Sequence, residues 1–224
     1  MNRATANTAR VLPLAKPQPA YRLWPAPVLT NYPSRPVSQP VQMRKLKYHV
    51  SASLDGYVLE PQHGVEKWAR ADDSIRYQEF LHAYGIVLMG RNTYEAHLRA
   101  GVADPYPDLM SYVFSRSLRP AANSPVEVIA EDAAAWVRRL KACPGKDLYL
   151  HGGARLATSL FAAGLIDEVI VELVPVLQGT GSRRLLSELE GEVALERENG
   201  VAYEDGTVRL TYRIRNSANR IDRQ

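Results

Sequence analysis

Three short stretches of this 224-residue chain place phosphate-ready chemistry where strands turn into helices. The first is Leu148-Tyr149-Leu150-His151-Gly152-Gly153-Ala154-Arg155-Leu156, a short apolar strand running into a Gly-Gly pair and then a helix. Glycine allows the backbone to turn sharply and to approach a ligand closely. A helix opening at Ala154 and Arg155 aims its free N–H groups at the same spot, where a phosphate could sit. The second is Ile86-Val87-Leu88-Met89-Gly90-Arg91-Asn92-Thr93, again a buried strand, a glycine turn and a helix start. Here Arg91 adds a permanent charge and Thr93 a hydroxyl. The third strand ends Val113-Phe114-Ser115-Arg116, a pair suited to charge-assisted bonds with a further phosphate. Each feature has a plainer reading: two turns, a helix cap at Thr93 and a solvated charge at Arg116. Three such strand ends in one domain favour a ligand.

The remaining candidates are weaker. Asp55-Gly56 follows the first strand as a turn, and Asp55 is a candidate polar group at the site as well as an ordinary turn residue. Asp72 or Asp73 could cap the next helix. Gly179-Thr180-Gly181 is a lone Gly-x-Gly after a late strand, and no Gly-x-Gly-x-x-Gly follows the first strand, so the dinucleotide-binding fingerprint is absent.

The elements that must position these residues follow from periodicity. Leu46 to Leu54 reads as a strand, with Tyr48 and Val50 alternating against polar neighbours. Residues 72–84 read as a helix, with Tyr77, Phe80, Leu81 and Tyr84 on one face. Strand 86–89 and a helix from about residue 92 come next, then short strands at 112–115 and 126–129. Residues 131–142 form a helix with Ala133, Trp136, Val137 and Leu140 on one face. Strand 147–150, helix 154–163 and strand 167–174 follow. Residues 192–215 read as two strands around the turn Glu204-Asp205-Gly206. Strands alternating with helices imply an α/β fold with a mostly parallel sheet, and the final hairpin adds antiparallel strands at one edge. Ligands of such sheets bind at the C-terminal strand ends, where all three glycine or Ser-Arg junctions fall. The apolar run Leu173-Val174-Pro175-Val176-Leu177 suggests a central strand or an interface.

Composition narrows the class. The sequence pI is about 9.2, which suggests a nucleic-acid binder. However, residues 1–42 hold five basic residues (Arg3, Arg10, Lys16, Arg22, Arg35) and no acid; removing those five from the net +4 leaves −1 for the rest. The body therefore carries no phosphate-tracking stripe. Eight of the fifteen prolines also lie in residues 1–42, without hydrophobic period, so that segment is expected to be a disordered tail. It is open to three readings: sequence upstream of a domain opening at Met43, a targeting peptide, or a docking tail. The domain is expected over 43–216, with a flexible end at 217–224. One cysteine, Cys143, excludes an internal disulfide framework and a cysteine-rich zinc site. No run of 18 apolar residues exists to cross a membrane.

Taken in order, Ser53-Leu54-Asp55-Gly56-Tyr57, Gly90-Arg91-Asn92-Thr93-Tyr94-Glu95, Phe114-Ser115-Arg116, His151-Gly152-Gly153, Leu165-Ile166-Asp167-Glu168 and Pro175-Val176-Leu177-Gln178-Gly179 resemble the dihydrofolate reductase-like superfamily. They are most similar to the branch of the riboflavin-biosynthesis deaminase–reductase C-terminal reductase domain. The resemblance spans residues 44–215. It implies a central mixed sheet flanked by helices, NADPH across the strand ends, and hydride transfer to a pterin- or pyrimidine-like heterocycle or a carbonyl. It assigns cofactor phosphates to Gly90, Arg91 and Thr93, the 2′-phosphate to Ser115 and Arg116, and the pyrophosphate and nicotinamide to Gly152 and Gly153, in a turn that is usually cis, with Ala154 and Arg155 beside them. Leu54, Asp55 and Gly56 map to the loop that closes over the nicotinamide. Asp73, seventeen residues before Gly90 with Trp68 five before it, maps to the acid that recognises the substrate. The resemblance also implies a small-molecule substrate, a cytoplasmic homodimer, and neither nucleic acid, membrane nor metal as partner. The chain departs from the pattern at Tyr94-Glu95-Ala96-His97, where riboflavin-pathway reductases carry a proline-containing segment, and at Ala157, where many dihydrofolate reductases carry Tyr. It has no His-x-Glu or Pro-Cys-x-x-Cys deaminase motif. A non-catalytic nucleotide-binding protein of the same fold is the alternative.

Overall fold

The computed structural model describes residues 43–59, 75–119, 121, 123–179, 183–186, 189 and 191–215; of 75–77 only the backbone is described. Eight strands form one sheet: β1 (Leu46–Ser53), β2 (Tyr84–Gly90), β3 (Met110–Phe114), β4 (Glu127–Ile129), β5 (Asp147–Gly152), β6 (Glu168–Val174), β7 (Leu195–Ala202) and β8 (Val208–Ile214). Among the described residues four helices, α1 (Ile75–Ala83), α2 (Arg91–Arg99), α3 (Ala133–Lys141) and α4 (Ala154–Ala162), connect them. The strand order is β4-β3-β2-β5-β1-β6-β8-β7. All neighbours pair in parallel except β8, which runs antiparallel to both β6 and β7. The expected mostly parallel sheet with an antiparallel C-terminal hairpin is therefore the observed architecture. The hairpin closes where expected, with Gly206 at φ +81° and its N–H donating to the Tyr203 carbonyl at 3.0 Å.

β5 is threaded between β1 and β2, so the middle of the sheet is covered on both faces and its strands read as nearly unbroken apolar runs. On one face Leu46, Tyr48, Val50, Ile86, Leu88, Leu148 and Leu150 pack with Val137 of α3 and Ala157 and Leu160 of α4. On the other, Val87, Met89, Val113 and Tyr149 pack with Phe80 of α1 and Tyr94 of α2. Period-two alternation puts His49, Ser51 and Ser53 of β1 on this second face, and all three are buried.

The helix expected over 72–84 ends earlier: α1 stops at Ala83, and Tyr84 opens β2. Tyr84 sits opposite Asp147 in the ladder and packs its ring on Phe80 (4.9 Å) and Tyr149 (5.3 Å), contacts that keep it with the same aromatic group although its backbone is extended. Asp132 caps α3, accepting the Ala135 N–H at 2.8 Å. β6 ends at Val174 between β1 and β8, so its apolar character is that of an interior strand. Val176 and Leu177 lie past its end and are exposed. Residues 1–42, Trp68, Asp72, Asp73, Thr180, Gly181 and residues 216–224 lie outside the described residues.

Candidate functional site

The two glycine junctions meet in space because β5 and β2 are neighbours, with Gly152 opposite Met89 in the ladder. The Gly152–Gly153 peptide is cis, as the resemblance implies, and Gly152 lies at φ +129°, where L side chains are rarely found. A Cβ on Gly90 would come within 3.3 Å of the Gly153 nitrogen, and one on Gly153 within 3.0 Å of Thr93 Oγ1. Two turns packed this closely leave room for no side chain between them. Gly90 and Gly153 are the N-caps of α2 and α4, and neither end has a side-chain cap. The first N–H groups of both helices therefore remain available to an anion.

These helix ends line one groove of about 1100 Å³. Gly90, Arg91, Thr93, Ser115, Arg116, Gly153, Ala154 and Arg155 all border it, so the structure brings together most of the residues expected at the cofactor. Arg183 and Arg184 add two cations to its border, which no motif had marked. Arg91 donates to Ser117 Oγ at 2.8 Å and lies 3.6 Å from Glu95. Ser115 Oγ accepts the N–H groups of Ser117 (3.2 Å) and Leu118 (2.9 Å), holding the strand-end turn beside Arg116 while leaving its own hydroxyl hydrogen available.

Leu54, Asp55 and Gly56 border neither this groove nor the cavity beside it. Leu54 N–H donates to the Val176 carbonyl at 2.9 Å, and Gly56 turns the chain at φ +84°. The Asp55 carboxylate accepts the N–H groups of Gln178 (3.1 Å) and Gly179 (2.8 Å). Hydrogen bonds from Ser53, then from Gln178 and Gly179, hold its pKa down at about 2. Asp55 thus ties the loop after β1 to the loop after β6.

Gly152, Gly153, Thr93 and Ala154 also border a second space, a cavity of about 70 Å³ on the α1–α2 face of the sheet. Its wall carries His49 and Ser51 from β1, His97 from α2, and Tyr149 and His151 from β5. His151 Nδ1 lies 2.6 Å from the Tyr149 hydroxyl and 3.1 Å from the Tyr106 hydroxyl; the two hydroxyls are 3.3 Å apart. His151 Nε2 lies 3.2 Å from His97 Nε2. Burial, and the neighbouring His49, push the His151 pKa down to about 3, so this imidazole is neutral at physiological pH.

Behind this wall a second group is anchored. His49 Nε2 lies 3.2 Å from Glu172 Oε1, its Nδ1 lies 3.3 Å from the Tyr84 hydroxyl, and Arg209 Nε donates to the same Glu172 oxygen at 2.8 Å. Burial pushes the Glu172 carboxyl up, but hydrogen bonds from His49 and Arg209 and the Arg209 charge outweigh it and hold it below the usual carboxylate range. Burial keeps His49 below its usual range, so Arg209 is the counter-charge and His49 a neutral donor. An ionised carboxylate only accepts, so Nε2 of His49 carries its proton and Nδ1 accepts from Tyr84.

Sequence reasoning missed this polar group. Its signals were present: Tyr149 and His151 share a face two residues apart, His151 directly precedes the Gly-Gly turn, and His97 follows Tyr94 by three residues on α2. What relates them is the strand order β2-β5-β1, which no local pattern contains.

With this geometry in place, comparison with known proteins is specific. The uncharacterized protein YwjB of Bacillus subtilis (strain 168) is 31% identical over 155 residues, covering 68% of this chain and 88% of YwjB. The crystal structure of a putative riboflavin biosynthesis protein from Shewanella sp. PV-4 superposes with a TM-score of 0.62 at 21% identity, over 78% of this chain and all of that one. Dihydrofolate reductase from Enterococcus faecalis, complexed with NADP(H) and RAB-propyl, superposes with a TM-score of 0.55 at 15% identity, over 77% of this chain and 97% of that one. These two structures share the fold. The family model for the RibD C-terminal domain matches residues 44–208, nearly the whole described body, and the chain belongs to that family.

Proposed function

We propose that this protein is a reductase that holds NADPH in the groove and reduces a small pterin- or pyrimidine-like heterocycle, or a carbonyl compound, whose reacting bond lies at the adjoining cavity. The observation that carries this reading is the convergence of two uncapped helix ends and the arginines 91, 116, 155, 183 and 184 on one groove, beside two glycine turns packed together. The donor set suits a phosphorylated dinucleotide. Backbone N–H groups at Arg91 and Ala154 suit its pyrophosphate, and Arg116 with the free hydroxyl hydrogen of Ser115 suits an additional phosphate. When bound, NADPH would supply a hydride. The chain's part is to fix the dinucleotide by its phosphates, exclude water, and orient the substrate against the Gly152–Gly153 wall. Asp55 contributes by holding together the loops after β1 and β6.

The test is a titration with NADPH and then NADH, followed by the thermal unfolding midpoint. Ligand at a hundred times its Kd should stabilise the fold by about 2.7 kcal/mol, a rise of roughly 5–10 °C for a domain of this size. Arg116→Ala should reduce the NADPH shift and bring it towards the NADH shift, and Arg91→Ala should weaken both. No shift with either nucleotide would overturn the reading. We also propose a homodimer, since β7 is exposed along its whole length at one edge of the sheet; light scattering at the monomer mass of 25.0 kDa would refute that.

A further inference from the structure

The small cavity carries a chemistry of its own. Ser51 is 5% exposed, and its hydroxyl meets no hydrogen-bonding partner among the described residues. Buried hydroxyls are nearly always satisfied, so this one is open to a polar group of a ligand entering the cavity. The wall also carries His97, Tyr149 and His151, with Arg183 and Arg184 at its edge with the groove. Two hydroxyls approach the one lone pair of His151 Nδ1, and imidazole nitrogen is a better acceptor than phenol oxygen. The shorter contact, 2.6 Å, therefore makes Tyr149 the donor to Nδ1, with Tyr106 left to bond the Tyr149 oxygen at 3.3 Å. With Nδ1 accepting, the His151 proton sits on Nε2 and points to His97 Nε2 at 3.2 Å. His49 differs: its one proton is committed to Glu172 and its other nitrogen accepts from Tyr84.

The geometry points to a two-step proton relay in which the Tyr149 hydroxyl is the source and the His151 imidazole the carrier, serving a ligand C=N or C=O bond held against Ser51. This rests on the reductase reading. In the relay the His151 Nε2–H bond breaks as an N–H or O–H bond forms on the ligand heteroatom. The Tyr149 O–H bond breaks as a bond from Nδ1 to hydrogen forms, so His151 ends as the other neutral tautomer. The negative charge left on Tyr149 Oη is held by the Tyr106 hydroxyl. The hydride and its electron pair come from a reduced nicotinamide, which is oxidised as the ligand carbon is reduced. After product leaves, a solvent proton entering through the cavity binds His151 Nε2 as Nδ1 returns its proton to Tyr149 Oη, which restores both groups. His97 is a positioning residue, since its Nε2 holds the shared proton at the wall until the ligand competes for it.

The test uses the full chain, labelled with 15N at histidine, as wild type and as Tyr149→Phe, which keeps the ring and its packing. Two-bond 1H–15N spectra should show His151 as the Nε2–H tautomer, neutral from pH 8 to pH 5, with its Nδ1 resonance displaced in Tyr149→Phe. With NADPH and either 7,8-dihydropterin (ring C=N) or diacetyl (C=O) as probe, Tyr149→Phe should lower turnover about 100-fold or more and leave the NADPH-induced midpoint shift unchanged. His151→Gln should do the same if Tyr149→Phe fails to fold. His151 titrating between pH 6 and 7, an unmoved Nδ1 resonance, a variant as active as wild type, or no turnover of either probe by protein that binds NADPH would each overturn the relay. Absence of NADPH binding would overturn the reductase reading and the delivery role with it, while the nitrogen spectra would still report the hydrogen-bonded chain itself.

Discussion

Removing Arg209 should turn the buried group behind the cavity wall from a support into a liability. Glu172 is 1% exposed, and its charge is balanced by Arg209 from β8 at 2.8 Å while His49 contributes a neutral hydrogen bond. Its pKa is held below the ordinary 4.5. Leaving one partner of a buried ion pair behind costs about 3–5 kcal/mol. Arg209→Met keeps much of the aliphatic stem and removes the charge. It should lower the thermal midpoint by about 10 °C. Glu172→Gln combined with Arg209→Met should recover most of that loss, because no uncompensated charge remains. In the single variant His49 is the cation candidate hydrogen-bonded to Glu172. Arg209 lowers the His49 pKa, so its loss should raise it, and His49 Nδ1 should gain a proton and turn from acceptor to donor towards Tyr84. The pH dependence has a definite sign. The Glu172 value is depressed on folding, so its contribution is fully present above about pH 4.5 and is lost as pH falls towards 2. Chemical denaturation of wild type, both single variants and the double variant at pH 7 and at pH 3.5 measures all of this. If Arg209→Met costs under about 1 kcal/mol, or the double variant costs the sum of the singles, then Glu172 is not held by Arg209 and the reasoning fails.

Two shorter predictions concern the groove. Gly90→Ala places a methyl 3.3 Å from the backbone nitrogen of Gly153, where no side chain can yield, so it should cost about 1–3 kcal/mol and abolish the NADPH shift; a variant with unchanged midpoint and unchanged nucleotide binding would show that the close approach of the turns is unimportant. Asp55→Asn should leave the global midpoint within about 2 °C, as expected for an exposed site. It should nevertheless speed amide exchange at Gln178 and Gly179, whose N–H groups the carboxylate accepts; protection factors unchanged there would remove the clamp.

What was legible in the sequence and what was not divide along the range of the interactions. The turns at Gly90, Gly152 and Gly153, the helix starts at Arg91 and Ala154 and the Glu204-Asp205-Gly206 hairpin are set within a few residues, and they fall within a residue or so of where the pattern puts them. Tyr84 shows the limit of periodicity: it follows Phe80 by four and Leu81 by three, so it fits the helical stripe, yet it opens β2. Pairing with β5 and packing on Tyr149 decide its backbone, and neither partner is near in sequence. Asp55 was ambiguous for a related reason, because a turn residue and a site residue look alike until the loop at Gln178 and Gly179 is placed against it. The phosphate-ready residues could be found singly, each within its own strand–helix junction. The buried His–Tyr group could not, since it draws one member each from β1, α2, the segment between α2 and β3, and two from β5. Inserting β5 between β1 and β2 is what sets Tyr149 beside both His49 and Tyr84. The same insertion puts the Gly-Gly turn against Gly90. One topological step therefore builds both the groove and the cavity, and the residue between them, His151, is joined to the first by the backbone of Gly152 and to the second by its ring.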